Sequence, residues 1–294
     1  MGDRHAHHHH RSTNLKTAFW LNITFSIIEL AGGLFTNSVA ILADALHDLG
    51  DSVSLGLAWY LEKIAGKKRD ATFSYGYKRF SLLAAFINGL ILISGSVVIL
   101  FQAVPRLFNP QNPDTGGMIV LAVLGVLFNG IAAWRLQRGS SLNEKIIFWH
   151  LWEDIFGWIA VLIGAVIMHF TYIPVLDPLL SVGFTLFILY QVVRNILNVS
   201  GIFMQGIPAD IDSDLLEKEI NSLNKVESIH DLHIWSLDGE THILTIHVKL
   251  IDDLSKPEQI DLKKQIRKIT QVSNVQHLTL ELEYKDEDCE LKDC

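Results

Sequence analysis

Apolar residues run through the first two thirds of the chain in six long stretches, approximately 17–35, 38–61, 80–104, 116–134, 146–170 and 176–198. Each is about twenty residues or more, the length at which an α-helix crosses the roughly 30 Å hydrocarbon core of a bilayer. Polar or turn-forming runs separate them: "FTNS", "EKIAGKKRDATFSYGYKR", "NPQNPDTGG", "RLQRGSSLNEK" and "TYIPVLDP". After about residue 207 the pattern changes. "DIDSDLLEKEINSLNKV" spaces Ile211, Leu215, Leu216 and Ile220 along one helical face. "SIHDLHIWSL" and "THILTIHVKL" read as strands joined across "DGE", a hairpin signal. "KPEQIDLKKQIRKIT" is a second amphipathic helix, and "NVQHLTLELEY" an alternating third strand. The order αββαβ predicts an open α+β sandwich of about eighty residues. A sheet of three short strands leaves an edge and a face that a second copy of the chain would cover.

Composition sharpens this picture only through its distribution. The 294 residues are 49% hydrophobic, which is close to ordinary soluble domains. Charge, however, is sparse before Ile207 and dense after it. The predicted organisation is therefore a histidine-rich N-terminal tail (1–16), a six-helix transmembrane domain (17–206), a soluble domain (207–285) and an acidic, cysteine-containing tail (286–294). Lys63, Lys67, Lys68, Arg69, Lys78 and Arg79 crowd the second-to-third connection, and Arg135, Arg138 and Lys145 the fourth-to-fifth. Arg4, Arg11 and Lys16 precede the first span, whereas the opposite side carries only Arg106. By the positive-inside rule both termini are cytoplasmic. The net charge of −8 arises mostly in the soluble part and argues against nucleic acid as a partner. Cys289 and Cys294 are the two cysteines; they suggest a reduced compartment rather than a disulfide framework. The opening "MGDRHAHHHHRSTN" is not a secretory signal. Its His5, His7, His8, His9 and His10 read equally as an expression tag or a native metal-collecting tail.

Chemistry enters with "ADALHDLGDS" in the second span. At 100° per residue, Asp44, His47, Asp48 and Asp51 fall within an arc of roughly 100°. His47 and Asp51 are spaced i,i+4, and the spacing recurs as His150 and Asp154 in "FWHLWEDIFGW", with Glu153 one position off that face. An ionisable side chain at membrane depth costs at least about 2.5–3.5 kcal/mol. A single such pair reads as readily as a helix–helix hydrogen bond; two pairs in two spans point to one shared object. Two imidazoles and two carboxylates make an N₂O₂ set suited to Zn²⁺, and the two carboxylates neutralise the ion in a low dielectric. Asp44 and Asp48 then read as groups that support the ligands or line the access path to them. Asp44 either orients His47 or serves helix packing.

These residues make the chain resemble the cation diffusion facilitators, six-span exporters of zinc and related divalent ions. The resemblance covers nearly the whole chain and rests on "TNSVAILADALHDLGDS", "HLWEDIFGW" and "HDLHIWSL". "NITFSIIELAGG", with Asn22, Glu29, Gly32 and Gly33, supports it. It implies a homodimer in the lipid bilayer, with a metallochaperone-like αββαβ cytoplasmic domain. It also implies a transport site at His47, Asp51, His150 and Asp154, run by exchange with protons, with Zn²⁺ as cargo and Cd²⁺ or Co²⁺ as possible passengers. The bacterial inner membrane is the implied location. His230, His247 and His277, on three strands, match the family's cytoplasmic metal positions, with Asp261 near a further one. Thr279 stands where another acid is expected. The loop after the second span keeps Asp70 but has Phe73 and Tyr77 where relatives carry histidines. That loop site is expected to be absent and Asp70 a solvated charge. His233 and His242 read as structural or surface residues, and Cys289 and Cys294 either as thiolates that hand zinc to a site or, preferably, as part of an acidic end.

An empty transport site would hold protons on its crowded carboxylates, and zinc would displace them. Exchange of one Zn²⁺ against one or two protons follows as an expectation. Two other classes compete. An intramembrane metalloenzyme needs an open coordination position and a general base, and neither H-E-x-x-H nor a histidine-box pattern is present. A membrane zinc sensor accounts for the soluble domain but not for paired ligands at membrane depth.

Overall fold

The computed structural model describes residues 20, 23–136, 142–285, 287 and 289. The N-terminal histidines, Asn22, Arg138 and Cys294 lie outside the described residues. The chain divides into two compact units, one of Met1–Leu61 with Ala84–Ile196, the other of Glu62–Leu83 with Leu197–Cys294.

The first unit is built from helices: α1 (Ile23–Thr36), α2 (Val39–Ala65), α3 (Phe80–Phe108), α4 (Thr115–Leu136), α5 (Leu142–Thr171) and α6 (Leu176–Phe203). Helices α3 to α6 are each long and apolar enough to cross a membrane. The described part of α1 is shorter, and α2, at 27 residues, has its apolar surface broken by Asp44, Asp48 and Asp51. Most helices outrun the apolar stretches that announce them, because hydrogen bonding continues for a turn beyond the point where composition turns polar.

Small residues and one carboxylate fix the packing of this unit. Phe25, Ile41, Met118, Trp158 and Met168 form one buried cluster that joins α1, α2, α4 and α5. A side chain at Gly125 would collide with the Trp158 indole, so glycine is what lets α4 approach α5. Between α1 and α2 the chain turns at Asn37, whose φ of 54° is left-handed. Arg106 holds that turn, donating to Asn37 O and Asn37 Oδ1 at 2.9 Å each. Asp177, buried at the start of α6, accepts from the backbone N–H groups of Val39 at 2.8 Å and Ala40 at 3.2 Å. A carboxylate from one helix thus caps the N-terminus of another, satisfying donors that no intrahelical carbonyl reaches.

The second unit has the order α7 (Ser213–Asn221), β1 (Val226–Ser236), β2 (His242–Leu250), α8 (Lys256–Val272), β3 (Val275–Glu283). The αββαβ reading therefore stands. The sheet order is β1-β2-β3, with β1 and β2 antiparallel and β2 and β3 parallel. β2 is central and buried along most of its length; it contributes Leu244, Ile246, Val248 and Leu250 to a core shared with Leu216, Ile220, Leu262 and Ile266 of the helices. At the hairpin Asp238 Oδ1 accepts from the backbone N–H groups of Glu240 (3.1 Å) and Thr241 (2.6 Å). Gly239 takes φ 91°, which a side chain would resist. Lys78, from the α2–α3 connection, reaches Asp238 Oδ2 at 3.5 Å and donates to Thr241 Oγ1 at 2.5 Å.

Asp70 does more in that connection than a solvated charge. Its Oδ1 accepts from Thr72 N–H (2.8 Å) and Phe73 N–H (3.0 Å), and its Oδ2 from the Tyr77 hydroxyl (2.6 Å). The Tyr77 hydrogen bond, then those backbone bonds, hold the Asp70 carboxyl below its ordinary pKa. Gly76, at φ 79°, closes the loop. The residues standing in place of histidines thus build a hydrogen-bonded turn.

Candidate metal centre

Two clusters of ionisable groups lie side by side on α2. The four residues of its polar arc divide between two neighbours. Asp51 Oδ2 is 3.6 Å from His47 Nε2, one turn away, and 3.0 Å from His150 Nε2 on α5. The two imidazole rings are 6.1 Å apart between centroids. His47 Nδ1 is buried without a hydrogen-bond partner among the described residues. Asp154 interacts electrostatically with His150, His47 and Asp51. The geometry brings three of the four predicted ligands around one carboxylate oxygen, with Asp154 beside them. The four are not drawn together as tightly as the clusters described next.

Asp44 and Asp48 turn instead toward α1. With Glu29 they form a group in which one carboxylate oxygen from each residue lies within 4.8 Å of the others. Glu29 is fully buried and Asp48 nearly so. Asp44, read from the sequence either as orienting His47 or as serving helix packing, joins this acidic trio and also interacts electrostatically with Asp154 and His150. Periodicity places Asp44, His47, Asp48 and Asp51 on one face but does not say that two neighbours share it.

The second centre lies in the C-terminal unit. His230 and His247 are direct cross-strand partners on β1 and β2, so their side chains stand on the same face. His247 Nδ1 is 2.7 Å from Glu283 Oε1, and His230 Nε2 is 3.1 Å from the same oxygen. That His230 nitrogen is buried and, among the described residues, makes no hydrogen bond. Cys289 Sγ lies 3.6 Å from His247 Nδ1. The donor atoms of His230, His247, Glu283 and Cys289 all lie within 4.8 Å of one another. Burial works to raise the Glu283 pKa, but hydrogen bonds from Cys289 and His247 and the charge of His230 outweigh it, leaving the carboxyl below its ordinary value. Two nitrogens, a carboxylate oxygen and a sulfur are a donor set that fits zinc.

Of the residues expected here from the sequence, His230 and His247 meet and His277 and Asp261 do not. His277 packs its ring against Tyr75 at 5.7 Å. Asp261 sits on the exposed face of α8 and accepts from Gln265 at 2.8 Å. His277 and Glu283 have the same parity on β3, but six residues separate them, roughly 20 Å along a strand. Glu283 is at the end of β3 that pairs beside Lys249, close to His247; His277 is at the other end, beside Ile243. The other histidines are engaged elsewhere: His233 Nε2 with Asp231 at 2.8 Å and His242 Nε2 with Asp210 at 3.2 Å. A β-bulge between His230 and His233 puts Asp231 at φ 49°. Its Oδ2 comes within 3.6 Å of His247 Nε2, the nitrogen facing away from Glu283.

Comparison with known proteins identifies the family of the chain. Residues 15–204 match the family model described as the cation efflux transmembrane domain. Residues 208–283 match that of the cation efflux protein cytoplasmic domain. The metal cation efflux system protein CzcD of Cupriavidus metallidurans is 36% identical over 290 residues, 96% of this chain and 90% of that one. The cadmium, cobalt and zinc/H(+)-K(+) antiporter of Bacillus subtilis is 32% identical over 287 residues, 94% and 91% of the two chains. The zinc transporter ZitB of Pectobacterium atrosepticum is 30% identical over 290 residues, 96% and 89%. With both family domains matched across almost its whole length, the chain belongs to the cation diffusion facilitators and is a multi-pass divalent metal cation efflux transporter.

Proposed function

We propose that this transporter carries Zn²⁺ out of the cytoplasm through a site formed by His47, Asp51, His150 and Asp154, in exchange for protons. The observation that supports it best is the 3.0 Å approach of His150 Nε2 on α5 to Asp51 Oδ2 on α2. Tetrahedral zinc with bonds of about 2.0–2.1 Å separates its nitrogen and oxygen ligands by about 3.3 Å. The distances of 3.0 and 3.6 Å around Asp51 bracket that value. Closing the two imidazoles together and bringing Asp154 in completes four-coordination. Cadmium and cobalt share enough chemistry to be passengers.

Proton exchange follows from the ligands. Carboxylates and imidazoles must give up protons to bind a metal. A site that loads from a near-neutral cytoplasm and opens to a more acidic exterior is emptied by proton competition. The name of the Bacillus subtilis relative, an antiporter for zinc against H(+) and K(+), supports protons as counter-ion. Rocking of the helices that carry the site supplies alternating access. The lysine and arginine distribution supports cytoplasmic termini, and bacterial relatives support the inner membrane. The cytoplasmic-domain match and the open three-stranded sheet support a homodimer. Domain limits of 17–206 and 207–285 accommodate these roles. In the cytoplasmic domain His230, His247 and Glu283 would hold a second zinc, which stabilises the paired domains and reports cytosolic zinc to the transport site.

The test is ⁶⁵Zn flux in proteoliposomes under an imposed pH gradient. Uptake should follow the gradient and fall to background in Asp51→Ala and Asp154→Ala, with the dimer intact by size-exclusion chromatography. Flux indifferent to the gradient would refute proton coupling. Flux retained in both variants would refute the site.

A further inference from the structure

The chain beyond β3 comes back to the strand cluster, and Cys289 arrives within reach of its donors. We propose that the Cys289 thiolate is the fourth ligand of the ion held by His230, His247 and Glu283, making an N₂OS site that ties Cys289 to the sheet through the metal. The inference rests on the reading of those three residues as a metal site.

Distances support it first. Bonds of about 2.3 Å to sulfur and 2.05 Å to nitrogen place the two ligands about 3.6 Å apart around tetrahedral zinc. Cys289 Sγ is 3.6 Å from His247 Nδ1. The nitrogen–oxygen separations of 2.7 and 3.1 Å are a few tenths of an ångström under the tetrahedral edge of about 3.3 Å. Small rotations of the side chains open them. Polar bookkeeping points the same way. His230 Nε2 is buried and, among the described residues, makes no hydrogen bond, a condition that a bound ion relieves.

The surroundings also suit a metal. With His247 Nδ1 turned to the ion, its Nε2–H faces Asp231 Oδ2 at 3.6 Å, the outer carboxylate that commonly fixes the tautomer of a ligating histidine. Asp231 owes that position to a left-handed residue in a β-bulge, local strain of the kind that collects at functional sites. Glu283 and a Cys289 thiolate together offset the charge of a divalent ion. The sulfur biases the site toward zinc and cadmium over magnesium or manganese.

Co²⁺ added to the detergent-solubilised full-length protein provides the test, because a thiolate on cobalt gives a near-ultraviolet charge-transfer band and an N₂O₂ transport site gives none. The band should appear in the unmodified chain, persist in His47→Ala and Cys294→Ser, and be lost in Cys289→Ser and His230→Ala. A visible cobalt spectrum that His230→Ala removes, with no charge-transfer band or with one that survives Cys289→Ser, overturns thiolate ligation and leaves the His230–His247–Glu283 site standing. A cobalt spectrum that His230→Ala leaves unchanged overturns both. Flux does not enter this measurement, so failure of the transport reading is recognised separately.

Discussion

Asp51 shows how one oxygen organises a half-buried polar site: both imidazoles approach the same Oδ2, one from its own helix and one from α5. Asp231 plays the corresponding outer role in the soluble unit, touching His247 through the nitrogen that does not face Glu283. Removing such an outer partner commonly costs about 10–100-fold in metal affinity. Asp231→Ala should therefore weaken zinc binding to the C-terminal unit by about that factor, read by competition with a chromophoric chelator, while transport-site affinity stays constant. Unchanged affinity would mean that the bulge serves the hairpin alone. The two His-x-x-x-Asp pairs were legible because helical spacing alone puts each pair on one face. Glu283 was not, because in "LTLELEY" it reads as one more outward acid of an alternating strand. Only the pairing of β3 beside β2 shows which end of that strand meets His247. His277 misled for the same reason: parity gives the face of a strand and not the distance along it. For Cys289 a zinc-handling thiolate is one of two readings, but its approach to His247 was not legible because the residues around it have no period to read.

At the scale of elements, helix ends and close approaches carry the architecture. Gly125 admits the Trp158 indole, which is fully buried. A leucine there has no room without separating α4 from α5, so Gly125→Leu should lower the melting temperature in detergent and broaden the elution profile. Normal behaviour would show that the indole can move aside. In the soluble unit α8 begins with a capping box, Ser255 with Glu258 at N3. The Ser255 side-chain and backbone hydrogen bonds, then Lys225, depress the Glu258 pKa from 4.5 to about 2. A carboxyl whose pKa is lower in the folded state stabilises the fold fully above its unfolded value. That contribution fades as pH falls from about 4.5 toward 2. Glu258→Gln should flatten this acid limb of the unfolding midpoint by lowering stability at neutral pH, the two proteins converging as pH approaches 2. The spans and the αββαβ order were legible because periods of 3.6 and 2 are local. The cap that Asp177 provides for α2 was not, since it joins residues 138 apart in sequence.

For the whole molecule, the decisive quantity is the coupling between the two proposed metal sites, whose residues belong to different compact units. Zinc at either site stabilises the folded chain, by about 2.7 kcal/mol at a hundredfold excess over its dissociation constant. Chelation should lower the melting temperature accordingly. Stabilisation alone does not make a regulator. If the C-terminal ion reports cytosolic zinc to the transport site, filling one site must change the affinity of the other, and thermodynamics makes the two changes equal. Couplings of this kind usually amount to about 5–150-fold. Transport-site affinity should therefore differ between the unmodified chain and His230→Ala by a factor in that range. C-terminal affinity should differ between the unmodified chain and His47→Ala by the same factor. Titration calorimetry on the three proteins measures both. Two affinities that ignore each other would make the C-terminal ion a clasp for the soluble domains with no influence on transport, because a ligand that binds both states of a transporter equally shifts neither.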